Sequence, residues 1–158
     1  MGDYDPNDPL LGAVWGMIEA AGVPVVIHCG SGPVPGSHTG PDPVRRLLRR
    51  YPGLRLIVAH MGMPEYADFL DVCLEFANVR LDTTMAFTPF THDTMPFPPG
   101  QLRRLHQLGQ RILFGSDFPN IPYPYADALR ALIDLDLGDE WLRNVLYRNA
   151  AQLFGVEG

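Results

Sequence analysis

Four short apolar runs punctuate the chain: PVVIH (24–28), LRLIVAH (54–60), NVRLD (78–82) and RILFGSD (111–117). They are mostly continuous rather than alternating in polarity, the pattern of parallel strands covered on both faces. Between them the apolar period lengthens to that of a helix. Tyr66, Phe69, Leu70, Cys73 and Leu74 follow the i, i+3, i+4, i+7, i+8 spacing of one buried helix face. Val44, Leu47, Leu48 and Tyr51 repeat it, as do Tyr125, Leu129, Leu132 and Ile133. A leading helix over 9–21 and a helical region over 139–154 complete the order α-βα-βα-βα-βα. That alternation predicts an α/β fold built of parallel (β/α) units.

The connections are lopsided. Helix-to-strand turns are tight: Gly22-Val23, Pro52-Gly53, Ala77-Asn78 and Gly109-Gln110. Three strand-to-helix loops are long and rich in Gly and Pro, over 30–43, 83–100 and 118–124. Parallel strands all point one way, so these loops gather at the carboxyl ends of the strands, the face that carries active sites in α/β barrels and open sheets.

Composition narrows the setting. The chain has 158 residues, 46% apolar and 19% charged, which is enough to bury a core and too apolar for a disordered tail. Its length fits one domain over 1–158. The net charge is −6, and all twelve basic residues are Arg, placed singly or in helical pairs. No basic stripe tracks a phosphate backbone, so nucleic acid is not an expected partner. Two cysteines, Cys29 and Cys73, make no disulfide framework. The start MGDYDPNDPL lacks the pattern of a secretory signal, and no apolar run approaches the ~18 residues of a membrane span. A soluble, cytoplasmic protein without a membrane partner is expected.

Three of the four strands deliver a titratable residue at their carboxyl end: His28, His60 and Asp117. Imidazole and carboxylate are the usual ligands of a catalytic divalent ion. Each alone has an ordinary explanation, a satisfied histidine or a turn-capping aspartate. Three on one rim, from three strands, point to a site. His38 and His92 lie in the long loops and are candidate substrate contacts, while His106 lies on the helix Gln101–Leu108, away from that rim. Asp82 is expected to bond the backbone of Thr83 and Thr84. Cys29 adjoins His28, but neighbours on a strand point to opposite faces, so the two do not make a nucleophile–base pair. GSGPVPG (30–36) matches no phosphate-loop pattern, and its Pro-broken loop fits a nucleotide-binding sheet poorly.

Taken in order, GVPVVIHCG, LRLIVAHMG, RILFGSDFP and the tail RNAAQLFG resemble the metal-dependent amidohydrolase superfamily. The resemblance runs from Leu11 to Gly155. It is to the amidohydrolase-related branch that includes the aminocarboxymuconate-semialdehyde and resorcylate decarboxylases. GSDFP stands where a TatD-type nuclease shows an ETD-like motif. The resemblance implies a (β/α)₈ TIM barrel, a divalent metal with Zn²⁺ foremost, and a metal-bound water as the reactive species. It implies that His28 is a metal ligand, that His60 orients or polarises water and substrate, and that Asp117 is a metal ligand and proton relay.

The sequence departs from that pattern in one large respect. The family's first strand carries an HxH pair, and no HxH occurs in this chain. A whole barrel takes ~250 residues, so the four strands correspond to strands five to eight, a half-barrel lacking the amino-terminal half. Three arrangements stay open: a fragment of a longer enzyme, a split enzyme whose partner supplies HxH, or two copies pairing as a homo-oligomer. The leading functional expectation is a metal-dependent hydrolase of a small organic substrate, with Asp117 as base. The alternatives are a decarboxylase of an aromatic or unsaturated carboxylate, and an inactive half-barrel that serves as an assembly partner.

Overall fold

The structure is a computed structural model that describes residues 4–156. Strands β1 (Val25–Ile27), β2 (Leu56–Val58), β3 (Val79–Asp82) and β4 (Ile112–Leu113) lie side by side in chain order, every pair parallel. Helices α1 (Gly12–Ala21), α2 (Pro41–Arg50) and α3 (Tyr66–Glu75) precede or connect the first three strands. The short α4 (Pro89–His92) and α5 (Leu102–Gln107) bridge β3 to β4, and α6 (Tyr125–Ile133) follows β4. The predicted alternation is therefore present: successive (β/α) units in barrel order, with β1 and β4 as the two edges.

Register decides which side chains face the helices. Leu56, Val58, Val79, Leu81 and Ile112 are all fully buried. They share a core with Val44, Leu47 and Leu48 of α2, Phe69, Leu70 and Val72 of α3, and Leu105 of α5. The α2 face is the one its apolar spacing marks out, whereas Leu74 of the predicted α3 face is exposed and Val72 is buried in its place. In α6 the predicted Tyr125 and Ile133 are exposed, while Ala128, Ala131 and Leu132 are buried. On the other face, Val26, Ile57 and Arg80 occupy one row of the ladder. Here the expectation of strands covered on both sides is only partly met. Ile57 and Leu113 are buried in a small second cluster with Leu153, but Val26 is 61% exposed because, among the described residues, nothing folds over that side of β1.

Leu153 reaches that face through the carboxyl-terminal helical region. This region runs as α7 (Asp139–Arg143), a π-helical turn over Asn144–Arg148, and α8 (Asn149–Phe154). The π turn leaves the Val145 carbonyl to accept the Phe114 N–H at 2.9 Å, at the unpaired edge of β4. The Asn149 amide donates to the carbonyls of Gly109 and Ile112, both at 2.7 Å. Arg55 donates to the carbonyls of Gly22 and Leu153, tying the end of α8 to the amino end of β2. Among the described residues no helix is long and apolar enough to cross a membrane.

The strands are shorter than their apolar runs. β4 stops at Leu113, where a side chain takes over the ladder: the Gly115 N–H donates to Thr83 Oγ1 at 3.3 Å. A Cβ on Gly115 would overlap Thr84 Oγ1, so this close approach needs glycine. Consequently the rim residues do not close strands. His28 comes one residue after β1, His60 two residues after β2, and Asp117 four residues after β4.

Candidate functional site at the carboxyl ends of the strands

A pocket of about 570 Å³ opens at the carboxyl end of the sheet, and His28, His60 and Asp117 all line it. Met63, Met85, Met95 and Phe90 supply its apolar wall. The structure thus brings together the three residues that the sequence places on one rim. Three methionines from two different loops meeting here is a feature that only the folded chain shows.

Hydrogen bonds fix each imidazole. His28 Nε2 lies 3.2 Å from the Gly32 carbonyl. A carbonyl only accepts, so the neutral ring carries its proton on Nε2 and its lone pair on Nδ1. His60 is set the other way: Nδ1 donates to the Thr84 carbonyl at 3.2 Å, leaving Nε2 with the lone pair. The two rings meet edge to face, with centroids 4.9 Å apart. Burial pulls the His28 pKa below its ordinary 6.5, and the neighbouring His60 adds to that. The Gly32 carbonyl, Asp117 and Asp82 act in the opposite direction. A neutral His28 at pH 7 follows, the form that binds a cation or takes up a proton.

The His60 backbone is as unusual as its ring. His60 and Met61 adopt left-handed conformations (φ 55° and 54°), followed by Gly62 at φ 71°. Asp82 holds this turn. Its Oδ1 accepts the His60 N–H and the Thr84 N–H, each at 3.0 Å, which joins the ends of β2 and β3. Sequence reasoning anticipates the Thr84 bond but not the one to His60, and Thr83 instead donates to the Leu113 carbonyl. Asp117 is also left-handed, at φ 56°, and it is exposed on the open flank beside β4.

Two donors do not complete a metal centre. Among the described residues, no three His, Cys, Asp or Glu side chains converge to hold a metal ion. A catalytic zinc takes three protein ligands and structural zinc four. His28 and Asp117 therefore do not by themselves fit the divalent metal that the sequence resemblance implies.

The remaining candidates lie apart. His38 sits in the β1–α2 loop with Nδ1 3.8 Å from Asp5 Oδ2. His92 is exposed on α4 and borders a separate cavity of about 480 Å³ with Phe87, Phe97 and Leu102. His106 borders a third depression beside Trp141 and Gly109. Cys29 is buried, and its surroundings together with the Glu65 charge push the thiol's pKa well up, so it stays protonated and unreactive.

This architecture, a run of parallel β/α units with titratable groups gathered at the strands' carboxyl ends, is that of one half of an α/β barrel. The sequence matches the family described as amidohydrolase over residues 1–156. The chain belongs to that family.

A search of curated proteins finds no match. Among solved structures, the chain is similar to an uncharacterized TIM-barrel protein from Bordetella bronchiseptica, with 22% identity and a TM-score of 0.79 over 94% of this chain and 51% of that one. It is similar to a probable 2-pyrone-4,6-dicarboxylic acid hydrolase from Acinetobacter baumannii, with 18% identity, TM-score 0.64, and 98% and 61% coverage. It is also similar to a dihydroxybenzoic acid decarboxylase from Polaromonas sp. JS666 solved with bound manganese and the inhibitor 2-nitroresorcinol. There the identity is 19%, the TM-score 0.58 and the coverage 91% and 53%. The chain spans a little over half the length of these relatives, and its four parallel strands are half of an eight-stranded barrel.

Proposed function

We propose that this chain supplies the catalytic rim of an amidohydrolase-family enzyme that hydrolyses a small organic substrate. The observation that carries this is the convergence of His28, His60 and Asp117 on one pocket with both imidazole tautomers fixed. Asp117, exposed toward solvent, is placed to take a proton from an attacking water. His60 has its Nδ1 proton engaged by Thr84, so in the neutral ring Nε2 accepts and orients a water. Once protonated at Nε2, the same ring donates to the oxygen of the electrophile. The methionine and phenylalanine wall packs the carbon skeleton and excludes water from it.

A second reading, decarboxylation of an aromatic or unsaturated carboxylate, draws on the same apolar wall and on the decarboxylase among the structural relatives. In both readings a divalent cation, zinc foremost, needs donors beyond His28 and Asp117. The barrel needs a complementary set of strands, from another polypeptide segment or a second chain, along the edges β1 and β4. A cytoplasmic setting suits the two free, buried cysteines.

The test is turnover of a panel of small cyclic carboxylates, amides and lactones by the protein loaded with divalent metal, beside Asp117→Asn and His60→Gln. Loss of turnover by at least about 100-fold in each variant is expected if both residues take part in proton transfer. Released CO₂ distinguishes the lyase from the hydrolase. Turnover that survives both substitutions overturns the assignment, and none from the chain supplied with both metal and a complementary set of strands leaves the inert assembly module.

A further inference from the structure

The segments that carry His28 and His60 are fastened to each other by contacts that the proton-transfer roles above do not use. Gly32 N–H donates to the Met63 carbonyl at 3.1 Å. Ser31 N–H donates to Glu65 Oε2 at 3.0 Å, and the Ser31 hydroxyl donates to Glu65 Oε1. Gly30 lets the two backbones touch, since a Cβ there would overlap the Met63 carbonyl and Gly62. Glu65 is the N-cap residue of α3, yet its side chain makes no capping bond to that helix. The preferred caps at that position are the shorter Ser, Thr, Asp and Asn, and the longer Glu65 side chain is free to reach elsewhere. Both oxygens here are spent instead on a loop 34 residues away in sequence.

We propose that Glu65 is a positioning residue for His28. By fixing both donors of Ser31, it sets the neighbouring Gly32 carbonyl that accepts His28 Nε2–H, and so holds the neutral ring in a single tautomer with its lone pair on Nδ1. The carboxylate thereby also ties the His28 segment to the His60 segment and maintains their edge-to-face contact. This role rests on the reading of the pocket as the reaction site, but its test does not require turnover.

The measurement is the long-range ¹H–¹⁵N spectrum of the histidine rings in the full chain. It is taken at about pH 8, above the ordinary histidine pKa of about 6.5. The wild-type protein should show His28 as the Nε2–H form alone. Glu65→Ala should give signals of both His28 tautomers, while His60, held by Thr84, stays as it is. Glu65→Gln should restore the wild-type pattern, because its Oε1 accepts Ser31 N–H and its amide donates to the Ser31 hydroxyl. Should Glu65→Ala fail to fold, Glu65→Asp, a methylene too short to reach both donors, is read by the same criterion.

An unchanged His28 in the disrupted variant overturns the proposal. So does an equal change at His60, which would mark general loosening, or a failure of glutamine to rescue. Turnover that survives both Asp117→Asn and His60→Gln defeats the functional reading and leaves this role standing, whereas unchanged spectra defeat only the positioning role.

Discussion

His60 and Asp117 share a property that neither residue type requires: each sits in the left-handed region of backbone space, at φ 55° and 56°. For an L-residue with a Cβ that conformation costs about 1–2 kcal/mol, and only Gly, Asn and Asp adopt it readily. Strain of this kind persists where surrounding contacts over-determine it, and it concentrates at functional sites. At His60 the over-determination is visible in the Asp82 bond to its N–H and the Thr84 bond to its ring. Asp117 has little such support on its exposed flank, so its own side-chain type carries the conformation. Asp117→Asn should therefore leave the free energy of urea unfolding within about 0.5 kcal/mol of wild type. Asp117→Ala should lose about 1 kcal/mol, although it removes no buried contact. Equal stability of the two variants would remove the backbone explanation. The sequence places both residues on the rim through the runs that precede them. It does not show that each sits in a turn beyond its strand, because the strand ends are set by cross-strand bonds such as that from Gly115 to Thr83.

Among the elements, the turn from β2 into α3 is the most tightly built. Gly62 has φ 71°, and a Cβ there would overlap the ring of Phe69, which is fully buried on α3. Overpacking costs about 1–3 kcal/mol, and left-handed strain adds to it. Gly62→Ala should thus lose about 2–5 kcal/mol in denaturant unfolding. Gly22, the left-handed C-cap of α1 at φ 63°, has open space around its Cβ position, so Gly22→Ala should lose only about 1 kcal/mol. If the two losses match, close packing against Phe69 is not what demands glycine at 62. The main elements were legible, because α2 buries the face that its spacing predicts, α3 buries all of its predicted face but Leu74, and the four apolar runs became the four strands; the short α4 fell inside a predicted loop. The one-sided long loops were legible too. Their contents were not: Ser31 and Glu65 meet only because Gly30 lets two loops approach, and no local pattern announces a bond across 34 residues.

At the scale of the molecule, the sheet has one face sealed by helices and one half sealed. Val26 stands 61% exposed in the middle of β1, beside Ile57, which Leu153 covers. Exposed apolar surface next to an unpaired strand edge invites association or dye binding. The isolated chain should bind a hydrophobic dye, and Val26→Lys should weaken that binding while shifting stability by no more than about 0.5 kcal/mol. A dye-silent wild-type chain that stays monomeric would mean that this face is not a sticky surface.

The sequence by itself determined the order of the main α and β elements, the buried face of α2 and the gathering of His28, His60 and Asp117 at one end of a parallel sheet. Those follow from local periodicity and from the single direction of parallel strands. The tertiary structure alone decided the tautomer of each histidine, the separation of His38 and His92 from the pocket, the methionine wall and the lack of a third metal donor among the described residues. Each of these depends on which distant groups come within a few ångströms of one another, and residue spacing along the chain carries no record of that.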